Sequence, residues 1–262
     1  MGSIPTEDGI IHGASNQIYS NAEEFYRAEN GHAIGYFWGF KTAGIFQNQQ
    51  EINDWIAAGN GVLQSNVQPG DTKYVDINHD GAINASDKVD LGNGLPKYTF
   101  GFNLTLGYKG FDLSANFTGA AGFQIAQSYR DPNSSQGNYS RAILDRWTGE
   151  GTSNSTPRVT YGDVGNWQFS DLYLQDGDYI RLQNLTLGYD FKRLISWKGI
   201  SKLRLYVQAQ NLFTLTKYDG MDPEIGSYNG TNGNSADSWV SGVDMGYYPH
   251  PRTFLVGMNI AF

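Results

Sequence analysis

The chain has 262 residues, with 18 basic against 26 acidic side chains, a formal net charge of -8 and no cysteine. The lack of cysteine excludes thiol catalysis, disulfide scaffolds and cysteine-ligated metals. The acidic balance argues against a nucleic-acid partner, which needs a basic face. No run of about 18 apolar residues occurs, so no transmembrane helix is predicted, whereas barrel strands give only a weak alternating signal of about ten residues each.

The first predicted strand is the aromatic-rich stretch IGYFWGFKTAGIF, residues 34 to 46. An aromatic-rich stretch of this kind is typical of a strand, but its register is less certain than that of the segments described below.

The stretch YVDINHDGAINASDKVDLGN, residues 74 to 93, fits the calcium-loop pattern D-x-[DN]-x-[DN]-G. The predicted oxygen ligands are Asp76, Asn78, Asp80, the Ala82 carbonyl, Asn84 and Asp87. Asp87 stands where an EF-hand has glutamate, and no flanking helices are evident. The alternative is a turn-rich loop held by Asx-type hydrogen bonds. In both cases the role is structural, and Ca²⁺ is the one cofactor predicted.

Five further segments alternate between apolar and polar residues, as a strand with two different faces does. They span residues 98–108, 111–122, 178–191, 201–213 and 252–262. In the first, the apolar face begins with Tyr98 and ends with Tyr108, as expected for rings at the two headgroup levels of a membrane. Lys109-Gly110 predicts a hairpin turn. The second face of 201–213 carries Arg204, which suits a watery lumen better than a dry core.

The last segment alternates Phe254, Val256, Met258, Ile260 and Phe262. This pattern resembles the C-terminal signal that barrel-assembly machinery recognises, and the same residues also fit an ordinary final strand.

Short and long connections alternate along the chain, as they do in an antiparallel barrel with brief turns on one side and large loops on the other. The long connections contain isolated aromatic residues, among them Trp147, Trp167 and Trp239. These rings are candidates for stacking on sugars, and equally for holding their own loops in place.

Several motifs in one order closely resemble the C-terminal part of SusC-like (RagA-like) TonB-dependent outer-membrane transporters. They are YFWGFKTAGIFQNQQEI, PGDTKYVDINHDGAINASDK, LGNGLPKYTFGFNLTLGYKGFDLS, RWTGEGTSNSTPR, DLYLQDGDYIRLQNLTLGYDF, ISKLRLYVQAQNLFTLTKYDGMDPEIG and YYPHPRTFLVGMNIAF. The resemblance runs from about residue 31 to the end.

The resemblance implies an all-β fold: a segment of an antiparallel transmembrane β-barrel of about 22 strands with long extracellular loops. It also implies a Gram-negative outer-membrane importer of glycans or peptides. Its expected partners are a SusD-like lipoprotein, the TonB complex, outer-membrane lipid and the barrel-assembly machinery. Residues 1 to 262 are expected to be the C-terminal portion of such a barrel, with the plug and N-terminal domains absent from this sequence. The two alternatives are that the chain belongs with further upstream sequence, or that it is a truncated reading frame with no transport of its own.

The alternative function is a secreted, calcium-stabilised β domain that binds carbohydrate through loop aromatics. Neither hypothesis is enzymatic, since the sequence offers no paired carboxylates or nucleophile with its base.

Overall fold

The computed structural model describes residues 9–13, 24–127, 141–160, 165–195, 197–226 and 241–262. Among these residues, none of the helices has the length and apolar character needed to cross a membrane.

The described residues are mostly strands joined by short helical turns. The strands are, in chain order, β1 (Ile10–His12), β2 (Tyr26–Glu29), β3 (Tyr36–Phe40), β4 (Thr42–Ile45), β5 (Thr72–Tyr74), β6 (Lys88–Asn93), β7 (Tyr98–Tyr108), β8 (Phe111–Ala121), β9 (Gln124–Gln127), β10 (Leu174–Asp176), β11 (Tyr179–Asp190), β12 (Lys202–Thr216), β13 (Val243–Asp244) and β14 (Thr253–Ala261). The α-helix described is α1 (Gln49–Ala57), and 3-10 turns cover Ala85–Asp87, Arg141–Asp145, Gly165–Trp167, Asp171–Tyr173 and Phe191–Arg193.

The chain divides into two compact units. The long-sheet unit comprises Pro96–Phe123, Asp176–Glu224 and Tyr247–Phe262. The small-sheet unit comprises the described residues of Met1–Leu95, Gln124–Gln175 and Ile225–Gly246.

The long-sheet unit is built on one antiparallel sheet with the strand order β14-β12-β11-β8-β7. These are the five strands predicted from alternation, and each prediction is confirmed to within a few residues. The β7–β8 turn has Lys109 at φ 48° and Gly110 at φ 93°. Two consecutive positive φ values define a type I′ turn, whose twist matches that of the strands it joins.

A bulge interrupts β11 between Leu182 and Asn184, and the register shifts at this point against both β8 and β12. A bulge adds one residue to a strand and so changes which positions point to a given face. One face of β11 therefore carries odd-numbered side chains before the bulge and even-numbered side chains after it. Arg181 and Asn184 therefore lie on one face of the sheet.

The small-sheet unit has its own apolar core, formed by side chains that are distant in sequence. Its buried members are Phe25, Tyr26, Phe37, Ala126, Phe169, Tyr173 and Val243. A buried carboxylate joins further parts of the unit that are distant in sequence: Asp71 Oδ1 accepts from Arg158 Nε at 2.5 Å and from Asn166 Nδ2 at 2.7 Å. Much of what the sequence presents as long polar connections is thus folded structure with a core.

The prediction of one strand across 34–46 was wrong in its extent. The stretch forms two short strands, β3 in a four-stranded sheet with β1, β2 and β6, and β4 paired with β5. Tyr36, Phe37, Phe40 and Ile45 are all buried. Both sides of this stretch pack against protein, which explains why the sequence shows no clean alternation there.

Candidate functional site

One face of the long sheet is apolar and exposed. The row Leu106–Leu113–Leu187–Val207–Val256 crosses all five strands in direct register. On β7, the side chains of Tyr98, Phe100, Phe102, Leu106 and Tyr108 are between 45% and 70% exposed. An apolar surface that covers a whole sheet exceeds what soluble monomers present to water. This face therefore has the chemistry of a surface in contact with lipid.

Aromatic rings cluster on this face at the end of the sheet where the short turns lie. The rings of Phe111 and Tyr189 lie 4.5 Å apart, and those of Tyr189 and Phe191 lie 4.9 Å apart. Tyr108 is the register partner of Phe111 at the same end. Rings at the end of an apolar band are typical of the interfacial girdle of membrane barrels.

The opposite face of the sheet carries polar and charged side chains that pair with each other. Arg204 on β12 reaches across β11 to Asp112 on β8, with Nε 2.8 Å and Nη2 2.5 Å from the two carboxylate oxygens. Gly188 lies between them, and a Cβ there would come within 2.5 Å of Asp112 and 2.6 Å of Arg204. Glycine at this position leaves free the space in which the two side chains meet.

A second ion-pair cluster lies on this polar face, at the end of the sheet where the long connections begin. Arg181 of β11, with 3% of its side chain exposed, donates from Nε to Thr214 at 3.0 Å and from Nη1 to Glu224 at 2.9 Å. Its Nη2 donates to Asp222. Side chains of this cluster line a cavity of about 360 Å³, together with Asn211, Met221 and Arg252.

Asp222, Glu224 and His250 bring their ligand atoms within 4.8 Å of one another, a grouping compatible with a metal site. The guanidinium of Arg181 already pairs with both carboxylates. Arg181 therefore supplies the positive charge that these acids require, and the group is an ion-pair cluster.

This cluster was missed in the sequence analysis. The available signal was an arginine near the start of an alternating strand, followed by the acidic Asp222-Pro223-Glu224 just beyond the next strand. Their proximity depends on the antiparallel pairing of β11 with β12, which brings the start of one strand next to the end of the other.

The predicted calcium ligands belong to one loop of the small-sheet unit, and the loop is closed by hydrogen bonds to its own backbone. Asp76 Oδ2 accepts from the Gly81 amide at 2.8 Å, and Asp80 Oδ1 from the Ala82 amide at 2.9 Å. The Asn84 side chain accepts from the Ser86 amide and, with Asp87, forms a capping box. The donor set of carboxylate, amide and carbonyl oxygens still fits Ca²⁺, because a carboxylate oxygen that accepts one hydrogen bond keeps a second lone pair. At Asp87 this oxygen is Oδ2, since Oδ1 accepts from two amides.

Two of the predicted ligand-binding tryptophans are packed within the small-sheet unit. Trp147 is half-buried and lies against Gly70, where a Cβ would come within 2.5 Å of its ring. Trp167 packs against the apolar core. Their placement favours the interpretation in which each ring holds its own loop, and Trp239 lies outside the described residues.

The residues of the predicted assembly signal lie along β14, which is in register with β12. Phe254, Val256, Met258 and Ile260 are 42% to 83% exposed, and Phe262, just beyond the strand, is 89% exposed. Their alternation therefore places all four strand residues on the apolar face.

Comparison with known proteins shows likeness over nearly the whole chain, although no family model matches it. It is 33% identical over 265 residues to the TonB-dependent receptor P3 of Formosa agariphila. This alignment covers 100% of this chain and 25% of that protein. It is 28% identical over 236 residues to the TonB-dependent receptor SusC of Bacteroides thetaiotaomicron, covering 88% of this chain and 20% of SusC. The solved structure of the RagAB peptide transporter matches with a TM-score of 0.63 and 22% identity, covering 91% of this chain and 24% of that one.

The fold and its two-faced sheet define the chain as a β-barrel segment. More particularly, the sequence is similar to a segment of proteins named as TonB-dependent receptors, SusC among them. The chain spans about a quarter of the length of the curated relatives it matches. These relatives are named as receptors and not as enzymes, which agrees with the prediction of no catalytic activity.

Proposed function

We propose that the chain forms part of the wall of an outer-membrane importer that takes up nutrients with energy from the TonB complex. The observation that carries the proposal is the five-stranded sheet with an exposed apolar face and an opposite face of paired polar groups. In a barrel, the first face contacts lipid and the second lines the interior. The proposed location is the outer membrane of a Gram-negative cell.

The proposed cargo is a glycan or a peptide too large for a porin, delivered with the help of a SusD-like surface lipoprotein. The similarity to the TonB-dependent receptor SusC and to a structure described as a peptide transporter supports an importer of this kind. The choice between the two cargoes depends on side chains of the whole transporter.

The test is to express the full-length gene with an affinity tag, separate the outer membrane and identify co-purifying proteins. We expect the protein in the outer-membrane fraction together with a SusD-like lipoprotein, and cargo uptake that stops when the TonB complex is removed. A protein recovered from the medium and retained by immobilised polysaccharide would contradict the proposal and support the secreted carbohydrate-binding domain instead.

We also propose that the alternating residues of β14 and the terminal Phe262 are recognised by the barrel-assembly machinery. Deleting Phe262 from the full-length protein is expected to lower the amount inserted in the outer membrane several-fold. Quantitative immunoblotting of membrane fractions measures this amount. Phe262→Tyr is the matched control, because it keeps an aromatic ring at this position. Equal insertion of the deletion variant and the wild type would show that β14 is an ordinary final strand.

For the 76–87 loop we propose a structural Ca²⁺ held by Asp76, Asn78, Asp80, the Ala82 carbonyl, Asn84 and Asp87. The all-oxygen donor set supports this proposal. The ion would add to the hydrogen bonds that already close the loop.

A further inference from the structure

We propose that Asp222 and Arg181 form a positioning clamp that fixes both ends of the connection between β12 and β14 to the polar face of the long sheet. The inference builds on the proposed function, in which this face lines the barrel interior. The chain leaves the unit after Glu224 and returns to it at Tyr247. The clamp joins the departing segment and the returning segment to a single strand.

Asp222 is the centre of the clamp because its carboxylate accepts hydrogen bonds from three separate parts of the unit. Oδ1 accepts from Arg181 of β11 and from the Glu224 amide at 2.9 Å. Oδ2 lies 3.2 Å from the His250 amide and 3.1 Å from His250 Nδ1. An ionised carboxylate offers about four acceptor positions. Arg181 and the two backbone amides can only donate, so they fill three of these positions and bring strand, departing segment and returning segment together. His250 Nδ1, which also lies 3.2 Å from Arg181 Nη1, fills the fourth in the tautomer that protonates this nitrogen.

Arg181 anchors this junction to the sheet. Its Nε donates to Thr214, the residue directly opposite it on β12. Its other two nitrogens donate to Asp222 and Glu224 on the departing segment. A planar guanidinium with its donors engaged in three directions holds its partners in one orientation, which a lysine ammonium cannot do.

The burial of the pair indicates that it contributes to the positions of the segments it joins more than to the free energy of folding. The side chains of Arg181 and Asp222 are 3% and 7% exposed, although they lie on the polar face of the sheet. Buried ion pairs are no more stabilising than well-packed apolar residues of similar volume. Their directional hydrogen bonds, in contrast, specify one arrangement of the groups they join. Here the segments that it joins carry Met221, His250 and Arg252, which line the 360 Å³ cavity.

The ionisation state of Asp222 agrees with this role. Burial by itself raises the pKa of Asp222, but the hydrogen bonds from the Glu224 amide, from His250 and from Arg181 outweigh it, so that the pKa lies below its usual value. Asp222 is therefore charged at neutral pH and retains all its acceptor positions.

Hydrogen exchange of the purified full-length transporter in detergent, followed by mass spectrometry, tests the clamp. In Asp222→Asn the amide group removes one acceptor and places a donor against Arg181 or His250. We expect amide exchange in residues 217–224 and 247–252 to become about 10-fold faster or more. Exchange in the centres of β8, β11 and β12 should stay unchanged.

Asp112→Asn is the matched control, since Asp112 forms the other arginine–aspartate pair on the same face, towards the short turns. It should leave both segments unaffected. If Asp222→Asn does not fold, Arg181→Lys keeps the charge and removes the directional contacts, and it should accelerate exchange in the same two segments. Unchanged exchange in these segments, or equal acceleration by Asp112→Asn, would overturn the clamp. Either outcome leaves the membrane location, which fractionation measures separately, unaffected.

Discussion

Leu185→Arg in the full-length protein is expected to destabilise the folded barrel in lipid by about 2–4 kcal/mol, the cost of a cation on the lipid face near the bilayer midplane. Leu185 is in register with Ala115, which is in turn in register with Leu104 of β7. Leu104 lies between Tyr98 and Tyr108 on the apolar face, so Leu185 is near the middle of the band. Reversible unfolding in phospholipid vesicles, followed by tryptophan fluorescence, measures the change.

Two control variants separate lipid contact from simple loss of packing. Thr186→Arg places the same charge one residue along β11, on the polar face, and should change stability by less than about 1 kcal/mol. Tyr98→Arg lies on the apolar face but at the end of the band, where the penalty for a cation falls to about 0–1 kcal/mol. Equal losses for Leu185→Arg and Tyr98→Arg would contradict a lipid-facing band, because only a membrane makes the cost depend on depth.

The long strands could be predicted from the sequence because each has two different environments. The alternation from Tyr98 to Tyr108 and from Phe254 to Phe262 indicates which side chains face outwards. This pattern is visible in residues that are neighbours in the sequence. The turn at Lys109-Gly110 could also be predicted from neighbouring residues, because its backbone conformation restricts the residue types that fit there.

The small-sheet unit could not be predicted in the same way. Its core joins Phe37, Phe169 and Val243, which are distant in the chain, and its strands have few residues each. Short strands that are buried on both sides show no regular alternation of apolar and polar residues. The cluster around Arg181 was missed for a related reason: its acidic partners follow the neighbouring strand, and only the pairing of β11 with β12 brings them together.

Asp87→Ala is expected to lower the stability of the small-sheet unit by about 2–4 kcal/mol, because three backbone amides lose their acceptor and each hydrogen bond contributes about 0.5–1.5 kcal/mol. Asp87 is fully buried. Its Oδ1 accepts from the amides of Ile77 at 3.0 Å and Asn78 at 3.4 Å, and its Oδ2 from the Asn84 amide at 2.8 Å. Thermal unfolding of the full-length protein in the presence of a chelator measures the effect without any contribution from calcium.

Asp80→Ala is the matched variant in the same loop, and it separates the hydrogen bonds from the metal. Asp80 is exposed and accepts from one backbone amide, that of Ala82, so its removal should cost less than about 1 kcal/mol in chelator. At a Ca²⁺ concentration of about 100 times Kd, the wild type should gain about 2.7 kcal/mol, and Asp80→Ala should lose most of this gain. If the wild type is equally stable in Ca²⁺ and in chelator, the proposed calcium site is disproved. The prediction for Asp87→Ala is unaffected by that outcome. The hydrogen bonds of Asp87 would then suffice to shape the loop, because they satisfy the amides that its sharp turns leave unpaired.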